Sequence, residues 1–231
     1  MRLGIVMALE AEALALGARR PRGGHVQPFG RNHLLAVSGM GPNNAEQAGM
    51  ALVEQGAEAL LSIGTAGALD PRLLPGTLCL PGVVLWQGQR YSCDENLWQG
   101  GLLAAATPVS EDPLLSVATP CASSTEKRRA FTQWGAAAVD MESGTLAALA
   151  ERCSCPFGVS RVIVDGACRS LPPAVLKGVD PYGRVRPVPF LWQLLRGPAQ
   201  IADLWGLRRE MAAASRTLAV VGSFLAEGPC G

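Results

Sequence analysis

Leu3-Gly4-Ile5-Val6-Met7-Ala8-Leu9-Glu10-Ala11-Glu12-Ala13-Leu14-Ala15-Leu16 opens with a continuous apolar run and closes on seven helix-favouring residues. That is the pattern of a strand buried on both faces that feeds a helix. Residues at the junction then stand at the carboxyl end of a central strand, where α/β proteins place their ligands. The pattern recurs downstream. His33 to Ser38 is a second buried-type strand, stopped by Gly39-Met40-Gly41-Pro42, and Asn43 is expected to cap the next helix with Glu46 as its capping-box partner. Ala59 to Ile63 is a third strand. It runs into Gly64-Thr65-Ala66-Gly67, expected to be a loop whose small residues let backbone N–H groups approach a ligand. Thr77 to Leu85 and Phe157 to Val164 read as further β-rich runs, whereas Ser123-x-x-Glu126 starts a helix reaching about Trp134 and Glu142 to Arg152 forms another.

Apolar strands alternating with helical patterns imply an α/β fold: one central mixed, mostly parallel sheet with helices on both faces. With 231 residues, 48% hydrophobic and 17% charged, the chain suits a single domain over residues 1–231. From about Leu171 the texture changes. Six prolines fall between Pro172 and Pro198, followed by a helix-like segment from about Ala199 to Ala226, which reads as a C-terminal extension of the domain. No internal repeat or low-complexity tract interrupts the chain.

Lys and Arg total 20 against 19 Asp and Glu, so no global field attracts nucleic acid or an anionic membrane. The N-terminal apolar run is too short for a signal peptide and no stretch approaches a membrane span, while the cysteine usage fits a reducing cytoplasm. Seven scattered cysteines without a C-x-x-C pair indicate neither a disulfide framework nor a zinc cage. His25 and His33 read as surface or hairpin histidines, and no metal or cofactor is expected. Gly39-x-Gly41 does not make a dinucleotide site, because Asn44 occupies the third glycine position and no acidic residue follows at the required distance.

Three carboxylates fall where an α/β site would be: Glu12 after the first strand, Glu142 at a helix start and Asp165 at a strand end. Singly, each is as ordinary as any dipole or capping residue. Their surroundings are more specific. Gly4 to Glu12, Ser38-Gly39-Met40-Gly41, Gly64 to Leu69, Val139-Asp140-Met141-Glu142 and Arg161 to Asp165 together resemble the methylthioadenosine and S-adenosylhomocysteine nucleosidases of the nucleoside phosphorylase superfamily, in order and spacing over residues 1 to about 168. The resemblance implies that Glu12 activates the attacking water, Glu142 accepts the ribose hydroxyls and Asp165 protonates the purine at N7. It further implies that Met141 packs on the sugar, that Thr65 and Gly67 lie beside the ribose and nucleophile, and that Arg161 orients Asp165. A homodimer is implied by the same analogy.

The chemistry agrees with these roles. Breaking an N-glycosidic bond leaves positive charge on the sugar, so one carboxylate serves the cationic side while another protonates the leaving group. The acid needs a pKa raised toward neutrality, which burial at a strand end supplies. Phosphorolysis instead needs cationic or N–H donors around phosphate, and the loop after the first strand offers Glu10 and Glu12. Hydrolysis is therefore expected, with Gly64 to Gly67 as a potential anion nest that keeps phosphorolysis open.

The chain departs from small-nucleoside relatives in two places. Val109 to Ala122 carries no aromatic residue, where such relatives carry one that stacks on the base, and Val164 precedes Asp165 where a hydroxyl residue is common. A narrower resemblance, to the hopanoid-associated phosphorylases, lies in Val139 to Ser143, Asp165, Arg169 to Pro173 and Asp180 to Arg184, and runs into the final helix. It implies release of adenine from adenosylhopane, a lipid-linked purine nucleoside, by an enzyme that touches the inner membrane transiently. Pro187 to Leu195 and Ile201 to Trp205 are rich in large apolar side chains that suit either a core or subunit cover or a lipid-facing groove, with Arg196, Arg208 and Arg209 nearby. The alternatives are a methylthioadenosine or S-adenosylhomocysteine nucleosidase, a purine nucleoside phosphorylase, and a catalytically dead purine-binding or membrane-associated scaffold that keeps the fold, which would have little need of separate acid and base.

Overall fold

The structure is a computed structural model, and it describes residues 1–98, 109–172, 178–186 and 200–227. Eleven strands among these form one mixed sheet. They are β1 (Leu3–Met7), β2 (Val26–Phe29), β3 (His33–Val37), β4 (Ala59–Ala68), β5 (Leu78–Cys79), β6 (Val83–Trp86), β7 (Gln89–Ser92), β8 (Val109–Ser110), β9 (Leu114–Ser116), β10 (Ala138–Asp140) and β11 (Phe157–Asp165). The helices are α1 (Glu10–Leu16), α2 (Pro42–Glu54), α3 (Ser124–Trp134), α4 (Ser143–Arg152) and α5 (Gln200–Glu227).

The sheet runs β2-β3-β1-β4-β10-β9-β6-β7, and β11 branches from β4 toward β5 and β8. β1 lies parallel between β3 and β4, and β11 runs parallel to β4 along its length, so β1, β4 and β11 deliver their carboxyl ends to one edge. Alternation along the strands divides the core. Ile5, Met7, Leu61, Ile63 and Val162 face Ala13 and Leu16 of α1 and Ala214, Leu218, Val221 and Leu225 of α5. Val6, Leu60, Val159 and Ile163 face Ala45 and Leu52 of α2 and Leu146 and Leu149 of α4. Both faces are covered, so the strands read as continuous apolar runs.

Three details differ from the sequence reading. Asn43 does not cap α2. The cap is Gly41, whose φ of 97° is open to glycine, with Pro42 in the first turn, and Glu46 instead pairs with Arg152. The small-residue run Gly64 to Gly67 is not a loop, because β4 continues through it to Ala68, laddered with β11 on one side and β10 on the other. The final helix is more than an appendage. A Cβ on Gly222 would lie 1.8 Å from the Leu16 carbonyl oxygen, so α5 approaches α1 at backbone contact and closes one face of the core.

No helix among the described residues is long and apolar enough to cross a membrane. Pro187 to Leu195, including Trp192, lies outside the described residues together with Arg196 and the side chains of Ile201 and Leu204.

Candidate active site

The carboxyl ends of β1, β4, β10 and β11 enclose a cavity of about 290 Å3. Glu12, Thr65, Gly67, Met141, Glu142, Arg161 and Asp165 all line it, so the structure gathers into one site the residues that the sequence spreads over about 150 positions.

Glu12 enters from the first turn of α1, and its carboxylate meets donors on every side. Oε1 accepts the Thr65 backbone N–H at 2.8 Å and its hydroxyl at 2.6 Å, while Oε2 accepts the Leu9 N–H at 3.2 Å. These bonds fix the side chain's orientation and leave lone-pair capacity for a ligand. Gly64 makes the approach possible, because a Cβ there would stand 2.7 Å from Arg161 Nη1 and 3.0 Å from Glu12 Oε2.

Glu142 caps α4, and its Oε1 accepts the Gly41 N–H at 2.9 Å. Beneath it lies Arg161, 1% exposed. Its Nη2 reaches Asp140 Oδ2 at 2.7 Å, Ser62 Oγ at 2.7 Å and Glu142 Oε2 at 3.5 Å, and its Nη1 donates to the Thr65 carbonyl at 3.3 Å. The Ser143 hydroxyl completes the cluster, donating to Asp140 Oδ2 at 2.5 Å. One guanidinium thus serves two carboxylates, with Glu12 also within electrostatic reach of Glu142. Burial, and then the Asp140 and Glu12 charges, push the Glu142 carboxyl up to about 7 against the pull of Arg161.

Asp165 ends β11 at a bulge, since Ile163 pairs with Ala66 and Asp165 with Gly67, leaving Val164 as the extra residue. A bulge re-aims the side chains around it, and here Val164 and Asp165 both line the cavity. Burial raises the Asp165 carboxyl above its ordinary range, opposed by the Lys127 ammonium beside it. The expected partnership of Arg161 with Asp165 is not what the structure places: Arg161 holds Asp140, Glu142 and Thr65, and the ion partner of Asp165 is Lys127.

Sequence reasoning missed Lys127 because a lysine in a helix as charged as α3 is expected to face water. A signal existed: Lys127, Ala130, Phe131 and Trp134 recur at the three- and four-residue spacing of one helix face, and Lys127 and Ala130 are buried. Asp140 and Ser143 stood in the Val139 to Ser143 motif without an assigned role.

The remaining wall is apolar, with Val117, Pro120, Cys121, Leu171 and Val179 but no aromatic side chain among the described residues. The segment from Gly178 to Arg186 is laid against the rim. Pro181 and Tyr182 accept backbone N–H bonds from Met40 and Glu10, and Arg184 pairs with Glu10 at 2.5 Å. The pairing amends the charge argument against phosphate, because Glu10 is spent on Arg184 and does not line the cavity. What remains is Glu12, and the cavity's guanidinium, Arg161, is already engaged by carboxylates.

Solved structures with the same architecture extend over nearly the whole chain. An S-adenosylhomocysteine nucleosidase from Streptococcus pyogenes, in complex with 5-methylthiotubericidin, superposes with a TM-score of 0.69 at 20% identity, covering 99% of this chain and 98% of that one. A Campylobacter jejuni 5'-methylthioadenosine/S-adenosylhomocysteine nucleosidase gives 0.69 at 16% identity, with 99% and 100% covered. Futalosine hydrolase of Helicobacter pylori gives 0.66 at 16% identity, with 99% and 98% covered. No curated protein matches the chain. The family described as Phosphorylase superfamily matches residues 4–92 and 94–175, a span that carries every residue placed in the cavity from Ala8 to Leu171. The chain belongs to the Phosphorylase superfamily.

Proposed function

We propose that this chain hydrolyses the N-glycosidic bond of a purine nucleoside, with Glu12 as the base that activates water and Asp165 as the acid that protonates the leaving purine. The observation that carries the reading is the pairing of two carboxylates in one cavity with opposed environments. Both are buried, but Glu12 is held by three donors that suit an acceptor and include the Thr65 hydroxyl, while Asp165 is held at one oxygen by Lys127 and is raised by burial above its ordinary range. Glu142 accepts the ribose hydroxyls, Met141 packs on the sugar, and Thr65 and Gly67 keep the wall beside Glu12 and Asp165 thin. Arg161 positions Glu142 and Thr65 from below. The apolar wall from Val117 to Cys121 receives the base.

Water is the nucleophile in this reading, since the cavity presents a carboxylate and an already paired guanidinium to any entering anion. The finer reading of the substrate is adenosylhopane, giving adenine and a ribosylated hopane, handled by a cytoplasmic homodimer in transient contact with the membrane. It is supported by the resemblance in Asp180 to Arg184, a segment that the structure lays on the cavity rim, and by Trp205, which is 61% exposed with Arg208 stacked 5.7 Å from its ring. Full-length overlap with nucleosidases, final helix included, favours the soluble alternatives, methylthioadenosine and S-adenosylhomocysteine.

The deciding experiment measures purine release from adenosylhopane in vesicles, methylthioadenosine, S-adenosylhomocysteine, adenosine and inosine, with and without phosphate. A free reducing sugar in phosphate-free buffer is expected, with the highest kcat/KM on adenosylhopane. Strict phosphate dependence with a sugar 1-phosphate product would overturn hydrolysis, and preference for methylthioadenosine would overturn the lipid reading.

A further inference from the structure

We propose that Lys127 is a positioning residue for the reaction, holding Asp165 by one carboxylate oxygen and stabilising the negative charge left there when its proton departs for the purine. The proposal rests on the reading of Asp165 as the leaving-group acid. Lys127 is 0% exposed, and its ammonium contacts Asp165 Oδ2, the Gly166 carbonyl at 3.0 Å and the Arg169 carbonyl at 3.0 Å. Its three N–H donors therefore each have an acceptor, and two of those are the backbone just after β11. Both Asp165 oxygens lie 3.4 Å from where a Gly67 Cβ would stand, so the carboxyl lies along the Gly67 part of the cavity wall with its Oδ2 engaged by Lys127.

Stability alone does not explain such a lysine. A buried ion pair is often no better for folding than apolar side chains of the same size, so its placement against a cavity acid points to the chemistry. In the step, the O–H bond of Asp165 breaks and an N–H bond forms on the purine, while the glycosidic electron pair moves into the purine ring. Water adds to the sugar carbon and gives its proton to Glu12. Asp165 becomes a carboxylate beside the Lys127 amino group that already holds its Oδ2, and a cation fixed at a site of developing negative charge lowers the barrier without reorganisation.

The charged groups around this pair come from three elements. Lys127 projects from α3, Arg169 follows β11, and Glu210 of α5 binds Arg169 at 2.8 Å. Cys121 lies in the segment before α3, with its thiol pushed up by burial. Both Lys127 and Arg169 pull the Asp165 carboxyl down against burial, Lys127 more strongly. Removing the ammonium therefore weakens the acid while keeping it protonated to higher pH.

The test compares pH profiles of wild type and Lys127→Met on the best nucleoside of the panel and on 4-nitrophenyl riboside, whose leaving group needs no proton. Lys127→Met is expected to lower kcat roughly ten- to a hundredfold on the nucleoside, less than loss of the acid itself. KM should stay within about twofold. The alkaline limb should move up by about half a pH unit or more, and the nitrophenyl riboside should react at near wild-type rate. An unmoved limb, an equal loss on both substrates or an effect on KM alone would assign Lys127 a structural role and overturn the proposal. Where Lys127→Met does not melt cooperatively, Lys127→Gln carries the same comparison, since its amide can still donate to the Gly166 and Arg169 carbonyls. Asp165→Asn separates the two failures. If it stays active, the acid reading falls and Lys127 with it; if it is inactive while Lys127→Met matches wild type, only the Lys127 proposal falls.

Discussion

Two buried cations hold the carboxylates of the cavity, and they are used differently. Arg161 divides one charge between Asp140 and Glu142 and spends its remaining donors on Ser62, Ser143 and the Thr65 carbonyl. Lys127 donates to one carboxylate, that of Asp165, and gives its other donors to neutral carbonyls. The consequence is electrostatic. Burial is the largest cause on both sides: near Arg161 the Asp140 and Glu12 charges add to it and Glu142 is pushed up to about 7, whereas near Lys127 it raises Asp165 against two cations, Lys127 and Arg169. An excess of negative charge suits the side facing a cationic sugar. A balanced pair suits the side where a proton must leave.

The strongest way to break this division is to neutralise the acid or the base. Asp165→Asn and Glu12→Gln preserve shape but transfer no proton, and each is expected to cut turnover about a hundred- to ten-thousandfold with the fold retained, Asp165→Asn also losing stability because it leaves Lys127 buried without its carboxylate. Near wild-type rates in either purified variant would remove that residue from the mechanism. Removing Arg161 attacks the other side through the fold. Arg161→Met leaves Asp140 and Glu142 buried without their cation, and a loss of about 3–5 kcal/mol in urea unfolding is expected. A variant within about 1 kcal/mol of wild type would mean that the carboxylates there are neutral, not paired.

A smaller blow tests whether the two sides share one wall. Gly64→Ala places a methyl group between Arg161 and Glu12, closer to both than contact permits. Overpacking of this kind costs about 1–3 kcal/mol, and the displaced Glu12 should lower kcat by roughly tenfold. Unchanged kcat with lowered stability would show that Glu12 tolerates displacement, contrary to the role proposed for it as the base.

The same contrast explains what the sequence could disclose. β1, β3, β4 and β11 were legible because strands buried on both faces must be apolar throughout, and α3 because Ser123 and Glu126 form the reciprocal cap expected of them. Glu12, Glu142 and Asp165 were legible because they end or follow such strands. Their partners were not. The pairs Arg161 with Asp140 and Lys127 with Asp165 join residues that only the sheet and α3 bring together, and a buried lysine contradicts the composition of its own helix. Gly64 to Gly67 read as a loop because small residues are turn-like in isolation, whereas pairing to strands on both sides keeps them extended. The final helix was visible as a helix, but its closure over α1 depends on Gly222, whose meaning appears only where Leu16 meets it.

The smallest expected effect concerns pH and reads the excess charge on the Arg161 side directly. Glu142 has a folded pKa of about 7 against an ordinary value of 4.5, so between these limits the folded chain binds a proton that the unfolded chain has released. Stability rises with pH only where the unfolded state binds more protons; here the folded state does, so the Glu142 contribution falls as pH rises through this window and is level above it. Asp165 has the same sign, and the measurement is therefore the difference between wild type and Glu142→Gln, in which the Asp165 contribution cancels. The amide keeps an acceptor for the Gly41 N–H and does not titrate. Wild type should lose about 5 °C of melting temperature relative to the variant between pH 5 and pH 8. In the same window the wild-type KM should improve as pH rises, because an ionised Glu142 is the better acceptor for ribose hydroxyls, while the KM of Glu142→Gln stays flat. Parallel melting curves for the two proteins would mean that Arg161 already compensates both carboxylates, and the asymmetry between the two cations would then be geometric and not electrostatic.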